Sequence, residues 1–306
     1  MSPKSKTTRL QAKIESGQSA LIAEVHPPKS GDAAAVRAMA KEFVGRVHAL
    51  GVSDNRDEVR MSALAAASLV AGEGVEPILH VTTRDRNRIA LTSDGLGASA
   101  LGIGNVLCTT GTHQTLGAFA SARNVFDIDS VHLIQMYSHL ADDGAWVGEK
   151  GFTGVGSFCV GGVAAPFADP LELQVSRLAK KVKAGARFLV TQPIFDLDRF
   201  GAWWQAVTQR GLHQQVAILA GVRVLTSADQ ANAYAQRRPL PMVPQAALQR
   251  LGQGTADAQR KAGIALACET IEKLKAVAGL RGFDISAQDD HAAVLAVMSA
   301  AGLKAD

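Results

Sequence analysis

Leu21-Ile22-Ala23-Glu24-Val25-His26-Pro27-Pro28 is the stretch whose reading decides the fold. An apolar run of strand length carries a carboxylate near its end, and two prolines follow almost at once. Proline lacks the amide that a ladder needs and cannot continue a helix, so the strand stops within a few residues of Glu24. A strand apolar on both faces belongs in a parallel sheet covered by helices. In such folds the side chains at the carboxyl ends of the strands line the ligand site. Glu24 is therefore a candidate general acid, held by a rigid element and partly desolvated, and its pKa is expected to rise. A capping or salt-bridged acid at a strand end is the other reading that Glu24 alone allows.

Working outward, apolar runs near 20–26, 46–53, 76–82, 104–109, 153–160, 187–192, 215–221 and 282–286 read as strands buried on both faces. Amphipathic segments near 32–45, 57–71, 86–101, 130–141, 169–184, 196–210, 226–236 and 256–278 read as the helices between them. Asp129-Ser130 and Asp169-Pro170 look like helix starts, the second with proline at the first helical position. Eight strands with eight helices predict a (β/α)8 TIM barrel rather than a doubly wound sheet. No Pro/Gly/Ser linker divides residues 1–306, so one domain is expected, with residues 1–18 a flexible or helical extension. The longest loops are the Gly-rich stretch 142–156 and the turn-rich stretch 110–125, and a barrel puts the second on its catalytic face.

At 306 residues, 47% of them hydrophobic and 20% charged, the chain has ample material for a core. The net charge of +4 is small and scattered, apart from Lys180, Lys181 and Lys183, so nucleic acid is not an expected partner. The first residues carry Lys4, Lys6 and Arg9 with no apolar segment behind them, and no run reaches membrane-spanning length. Cys108, Cys159 and Cys268 read as reduced, buried thiols, and the expected location is cytoplasmic. The eight histidines show no ligand spacing, so no metal is expected. No nucleotide fingerprint appears: Gly154-Val-Gly156 has Cys159 where a third glycine belongs.

The strand ends carry the remaining signal. They offer Glu24, Ser53, His80 with Thr82, the run Cys108-Thr109-Thr110-Gly111-Thr112-His113, Thr191-Gln192, and Ser286 with Gln288. Most are neutral hydrogen-bonding groups that suit a large neutral heteroaromatic ligand. Singly, each Thr or Ser simply suits a strand end.

The chain resembles the methylenetetrahydrofolate reductases, specifically a bacterial short form without a regulatory domain. The landmarks are Ala23-Glu24-Val-His-Pro-Pro28, Val59-Arg-Met-Ser62, and His80-Val-Thr82 followed by Arg84-Asp-Arg-Asn-Arg-Ile-Ala-Leu91. Further along come Leu101-Gly102, Asn105-Val-Leu-Cys-Thr-Thr-Gly111, Val125-Phe-Asp-Ile-Asp129, and Ala184-Gly-Ala186 leading into Thr191-Gln-Pro-Ile-Phe-Asp196. They recur in order over roughly residues 20–300.

The resemblance implies a flavin-dependent enzyme of one-carbon metabolism and methionine biosynthesis, with FAD as cofactor and NADH or NADPH as donor. It would reduce 5,10-methylenetetrahydrofolate to 5-methyltetrahydrofolate. Glu24 matches the general acid and Gln192 the glutamine that contacts the pterin. Ser53, His80, Thr82, Thr109, Gly111, Phe126, Asp127, Lys180 and Lys181 match or adjoin flavin-holding positions, the two lysines toward its phosphates. The chain also departs from the family. Thr112 stands where an aspartate lies near the flavin pyrimidine, Ala228 where an aromatic ring stacks on the folate, Ile285 at a tyrosine and Ala165 at an asparagine. Two other readings stay open, a non-catalytic or partner-dependent flavin- or folate-binding subunit and a pterin-binding methyltransferase barrel. The expected partner is a small-molecule folate, with no membrane, and a homo-oligomer is expected.

Overall fold

Eight parallel strands close on themselves in a computed structural model that describes residues 7–117, 119–146, 149–236 and 243–306. They are β1 (Ala20–Val25), β2 (Ala49–Val52), β3 (Pro77–Thr82), β4 (Asn105–Thr109), β5 (Cys159–Ala164), β6 (Phe188–Thr191), β7 (Ala217–Arg223) and β8 (Gly282–Ser286). Neighbours in the barrel are neighbours in this order, and β8 pairs with β1 to complete the ring. The architecture is the single-domain (β/α)8 barrel that the alternation of runs implies.

Alternate residues of each strand sort to opposite faces. Ala20, Ile22, Ala49, Ile78, Leu107, Phe188, Val190 and Leu219 pack inside the barrel. Leu21, Ala23, Leu50, Leu79, Val106, Leu189, Ile218 and Ile285 pack outward against the helices. The interior is filled by pairing large with absent side chains: a Cβ on Gly161 would lie 2.3 Å from the Phe188 ring. At the amino-terminal end, α1 (Arg9–Glu15) turns Leu10 and Ile14 into the same interior cluster. Glu76 anchors that helix by accepting from the amides of Arg9 and Leu10 and from Asn105 Nδ2. The expected extension at 1–18 is therefore partly a barrel plug, and its residues 1–6 lie outside the described residues.

The outer layer holds α2 (Ala33–Glu42), α3 (Ala63–Gly72), α4 (Arg88–Ala100), α5 (Ser130–Asp143), α6 (Leu171–Lys183) and α7 (Leu197–Gln209). It continues with α8 (Ala228–Gln236), α9 (Gln245–Leu251), α10 (Ala256–Lys275) and α11 (His291–Ala300). Asp129 caps α5 as its sequence suggests, accepting from the amides of Val131 and His132. Pro170 is the cap of α6 and not its first residue.

Two expectations need correction. The fifth strand runs over 159–164 and not 153–160, because Gly161 and Gly162 break the apolar pattern where neighbouring strands and helices supply the packing atoms. Each of the eight expected helices has a counterpart, but α8, α9 and α10 all lie between β7 and β8, and α9 and α11, the helix that follows β8, are not among those expected. Of the cysteines, Cys108 and Cys159 are buried and Cys268 is half-buried, all as free thiols. No helix among the described residues is long and apolar enough to cross a membrane.

Candidate active site

A cavity of about 470 Å³ opens at the carboxyl ends of the strands. The inward parity that places Ile22 in the core brings Glu24 to the rim two residues later, and the same step brings Ser53, Thr82, Thr109, Gln192 and Ser286 there. His80 and Asp284 lie one layer deeper and also face the cavity. Ser53 is 2% exposed, and its Oγ has no hydrogen-bond partner among the described residues. A buried hydroxyl without a partner is costly, so Ser53 is a candidate to pair with a ligand atom.

One charged cluster centres on Glu24. Arg56, on the loop after β2, donates from Nη1 to Glu24 Oε1 at 2.8 Å, and His26 Nε2 lies 3.5 Å from the same oxygen. Burial alone would raise the Glu24 carboxyl, but Arg56, His26 and His80 outweigh it and hold the group well below the ordinary carboxylate range. The expected upward shift is therefore corrected: Glu24 is an anion paired with a guanidinium. Asp284 on the neighbouring strand goes the other way. Burial, then the charge of Glu24, push its carboxyl well up, and Arg56 offsets only part of this. His80 is shifted downward, chiefly by burial.

The loops above these groups are tied together by two arginines. Asp54 accepts from the Thr82 amide at 3.0 Å and from both terminal nitrogens of Arg86. Arg84 reaches the carbonyls of Asn55 at 2.9 Å and Thr112 at 3.1 Å. Together they fix the loops after β2, β3 and β4 around the opening. Gly111, at φ +87°, leaves no room for a side chain there, since a Cβ would lie 2.6 Å from Thr82 Cγ2.

Of the residues singled out in the sequence, Glu24, Ser53, His80, Thr82 and Thr109 line the cavity, as do Gly111, Thr112, Ala165, Lys181 and Gln192. Lys181 donates to the Val163 carbonyl, and burial, with help from Arg177, brings its ammonium down to about 8. Eight others do not line it, Cys108, His113 and Gln288 among them. Ile285 has the outward parity and is buried in the core between sheet and helices. Ala228 begins α8 with its amide on Gln259, and the same helix turns Tyr234 to the cavity instead. Phe126 packs beside His113, at 6.2 Å between ring centroids. Asp127 faces outward and pairs with Arg88 at 2.9 Å, and Lys180 is exposed, one helical step away from Lys181.

Sequence reasoning missed Asp54, Arg56, Arg84, Tyr234 and Asp284. The signal for the first two was legible as the polar run Ser53-Asp54-Asn55-Arg56-Asp57 directly after an apolar strand. Asp284, an acid set between Phe283 and Ile285, was legible as a charge in a buried strand.

The methylenetetrahydrofolate reductase profile matches residues 9–302, nearly the whole chain. The chain belongs to the methylenetetrahydrofolate reductase family. Among solved structures, an uncharacterised protein from Clostridium thermocellum that binds two copies of 5-methyl-5,6,7,8-tetrahydrofolic acid is similar at a TM-score of 0.65 and 12% identity. That match covers 95% of this chain and 97% of the other. A 2,3-dimethylmalate lyase of the PEP mutase/isocitrate lyase superfamily is similar at a TM-score of 0.50 and 12% identity, over 96% and 84% of the two chains. At these identities the two structures speak to the fold.

Proposed function

We propose that this family member reduces 5,10-methylenetetrahydrofolate to 5-methyltetrahydrofolate, with NADH or NADPH as donor and FAD as cofactor. The observation that carries the reading is convergence: in a chain matched to the family over residues 9–302, Glu24, Ser53, His80, Thr109 and Gln192 come from five separate strands to one cavity. The Clostridium thermocellum protein, of similar fold, binds the product of this reaction.

The residues present suit a flavin. The unpartnered Ser53 hydroxyl, with Thr109, Thr110 and Gly111 on the same cavity wall, offers a donor and an acceptor for a ring edge. Val163, Ala164 and Ala165 form a small apolar wall, and Arg177 and Lys181 supply cations at the cavity edge for phosphates. When bound, the flavin supplies a carrier for hydride between the nicotinamide and the folate. The chain's own residues do the rest. Gln192 offers an amide that can pair with the pterin edge. The Glu24 carboxylate, kept charged by Arg56, stabilises the cationic iminium that forms as the five-membered ring opens. The arginine-tied loops hold this geometry.

The visible spectrum of freshly purified protein tests the reading. The bands of an oxidised flavin, bleached by NADH or NADPH and restored by methylenetetrahydrofolate, are expected. A colourless protein that binds folate would point instead to a pterin-binding methyltransferase, and a flavin that methylenetetrahydrofolate leaves reduced would point to a non-catalytic subunit.

A further inference from the structure

We propose that Asp284 carries the proton that the Glu24–Asp284 carboxyl pair delivers when the folate ring opens; this rests on the folate-reductase reading above. The two acids stand on adjacent parallel strands, β1 and β8. Ile22 lies opposite Asp284 and Glu24 opposite Ser286, so the acids are diagonal neighbours, offset by two residues. Both have the inward parity, both are 8% exposed, and both line the same cavity. Only Glu24 has a cation bonded to it. Arg56 sits on Glu24 at 2.8 Å, and no hydrogen bond or ion pair reaches the Asp284 side chain among the described residues.

Two carboxyl groups in one desolvated cavity cannot both ionise at ordinary cost, and the one without a cation keeps the proton. The charged groups around the pair make that assignment. β1 brings the Glu24 anion and the loop after β2 brings Arg56, both acting on Asp284, while His80 from β3 and Tyr234 from α8 line the same cavity and Arg223 from β7 lines a smaller pocket beside Tyr234. Arg223 is turned to Tyr234, its guanidinium 5.0 Å from the ring centroid. Burial and the nearby anion favour a neutral Asp284, in line with the upward direction of its titration.

The step balances. The Asp284 O–H bond breaks and an N10–H bond forms while the bond from N10 to the methylene carbon breaks. Asp284 becomes a carboxylate, the positive charge passes to the N5 iminium, and the Glu24 anion offsets it. A bound flavin, reduced by the nicotinamide, would supply the hydride that takes the iminium carbon to methyl. Solvent returns a proton to the pair. In this arrangement Glu24 stabilises charge and Asp284 donates.

Infrared difference titration of wild type, Asp284→Asn and Glu24→Gln, combined with stopped-flow of the folate half-reaction, tests this. A protonated-carboxyl C=O band is expected in wild type at neutral pH, lost in Asp284→Asn. In Glu24→Gln it should titrate at lower pH, because the neighbouring anion is gone. The folate half-reaction of Asp284→Asn should fall by on the order of 10²–10⁴-fold and lose the basic limb of its pH profile, and Asp284→Glu should restore that limb. A band that survives in Asp284→Asn and vanishes in Glu24→Gln overturns the inference even if one variant folds poorly. So does a wild-type rate and pH profile in Asp284→Asn. A wild-type protein that never reduces the folate overturns the underlying reading instead, which the infrared band tells apart.

Discussion

Arg56 Nη1 lies 2.8 Å from Glu24 Oε1, and that contact sets the charge pattern of the cavity. It keeps one acid ionised, and burial together with the charge of that anion pushes the carboxyl of its neighbour Asp284 well up. The pair is desolvated on the protein side and open to the cavity on the other.

Removing Arg56 should therefore cost stability. Arg56→Met leaves a buried carboxylate unpaired, a loss on the order of 3 kcal/mol for such groups. The Glu24 pKa then rises, so the loss should be largest at high pH and shrink as falling pH protonates Glu24. The double variant Glu24→Gln/Arg56→Met should regain most of it. Urea unfolding of the cycle at two pH values checks this, and additive losses would contradict it.

Asp284 has a raised folded-state pKa, so the folded protein binds a proton that the unfolded chain releases. Stability should fall as pH rises above the unfolded carboxylate pKa, and go on falling up to the folded one. Asp284→Asn removes that dependence. Its melting temperature relative to wild type should rise with pH across this window, and a pH-independent difference would contradict the assignment.

Lys181 has an ammonium lowered to about 8. If it meets a flavin phosphate, affinity should fall as pH rises through that value, because the neutral amine gives up the charge. Lys181→Met should bind flavin more weakly by about 1.5–3 kcal/mol below that pH, the range for hydrogen bonds to charged groups, and show no such pH dependence. Flavin titration by fluorescence quenching measures both, and a variant with unchanged affinity would remove the lysine from the site.

Gly161 tests the interior packing. A Cβ there would lie 2.3 Å from the Phe188 ring, so Gly161→Ala should destabilise by about 1–3 kcal/mol through overpacking. Gly161→Ala/Phe188→Leu should recover part of that loss in chemical unfolding, and a single variant as stable as wild type would contradict the packing.

Much of the barrel was legible because burial on both faces writes strands as short apolar runs, and seven of the eight strands fall where those runs lie. β5 was hidden because Gly161 and Gly162 carry no side chains to read, and their packing comes from Phe188, Ile134 and Leu189. The candidate site was legible at strand ends whose parity follows from the run itself, as with Glu24, Ser53 and Gln192. Ile285 was misplaced by one residue of parity, which is enough to turn a side chain from the cavity to the helices. The charge state of Glu24 was not legible, because it depends on Arg56, which stands 32 residues away in sequence.

The central claim is folate reduction in this cavity, and a single-turnover experiment tests it most directly. Protein reduced anaerobically with NADH or NADPH is mixed with 5,10-methylenetetrahydrofolate, quenched and assayed for folates by mass spectrometry. The account requires one 5-methyltetrahydrofolate per flavin-loaded site, formed as the oxidised flavin spectrum returns. Methylenetetrahydrofolate recovered unchanged beside a still-reduced protein would contradict it.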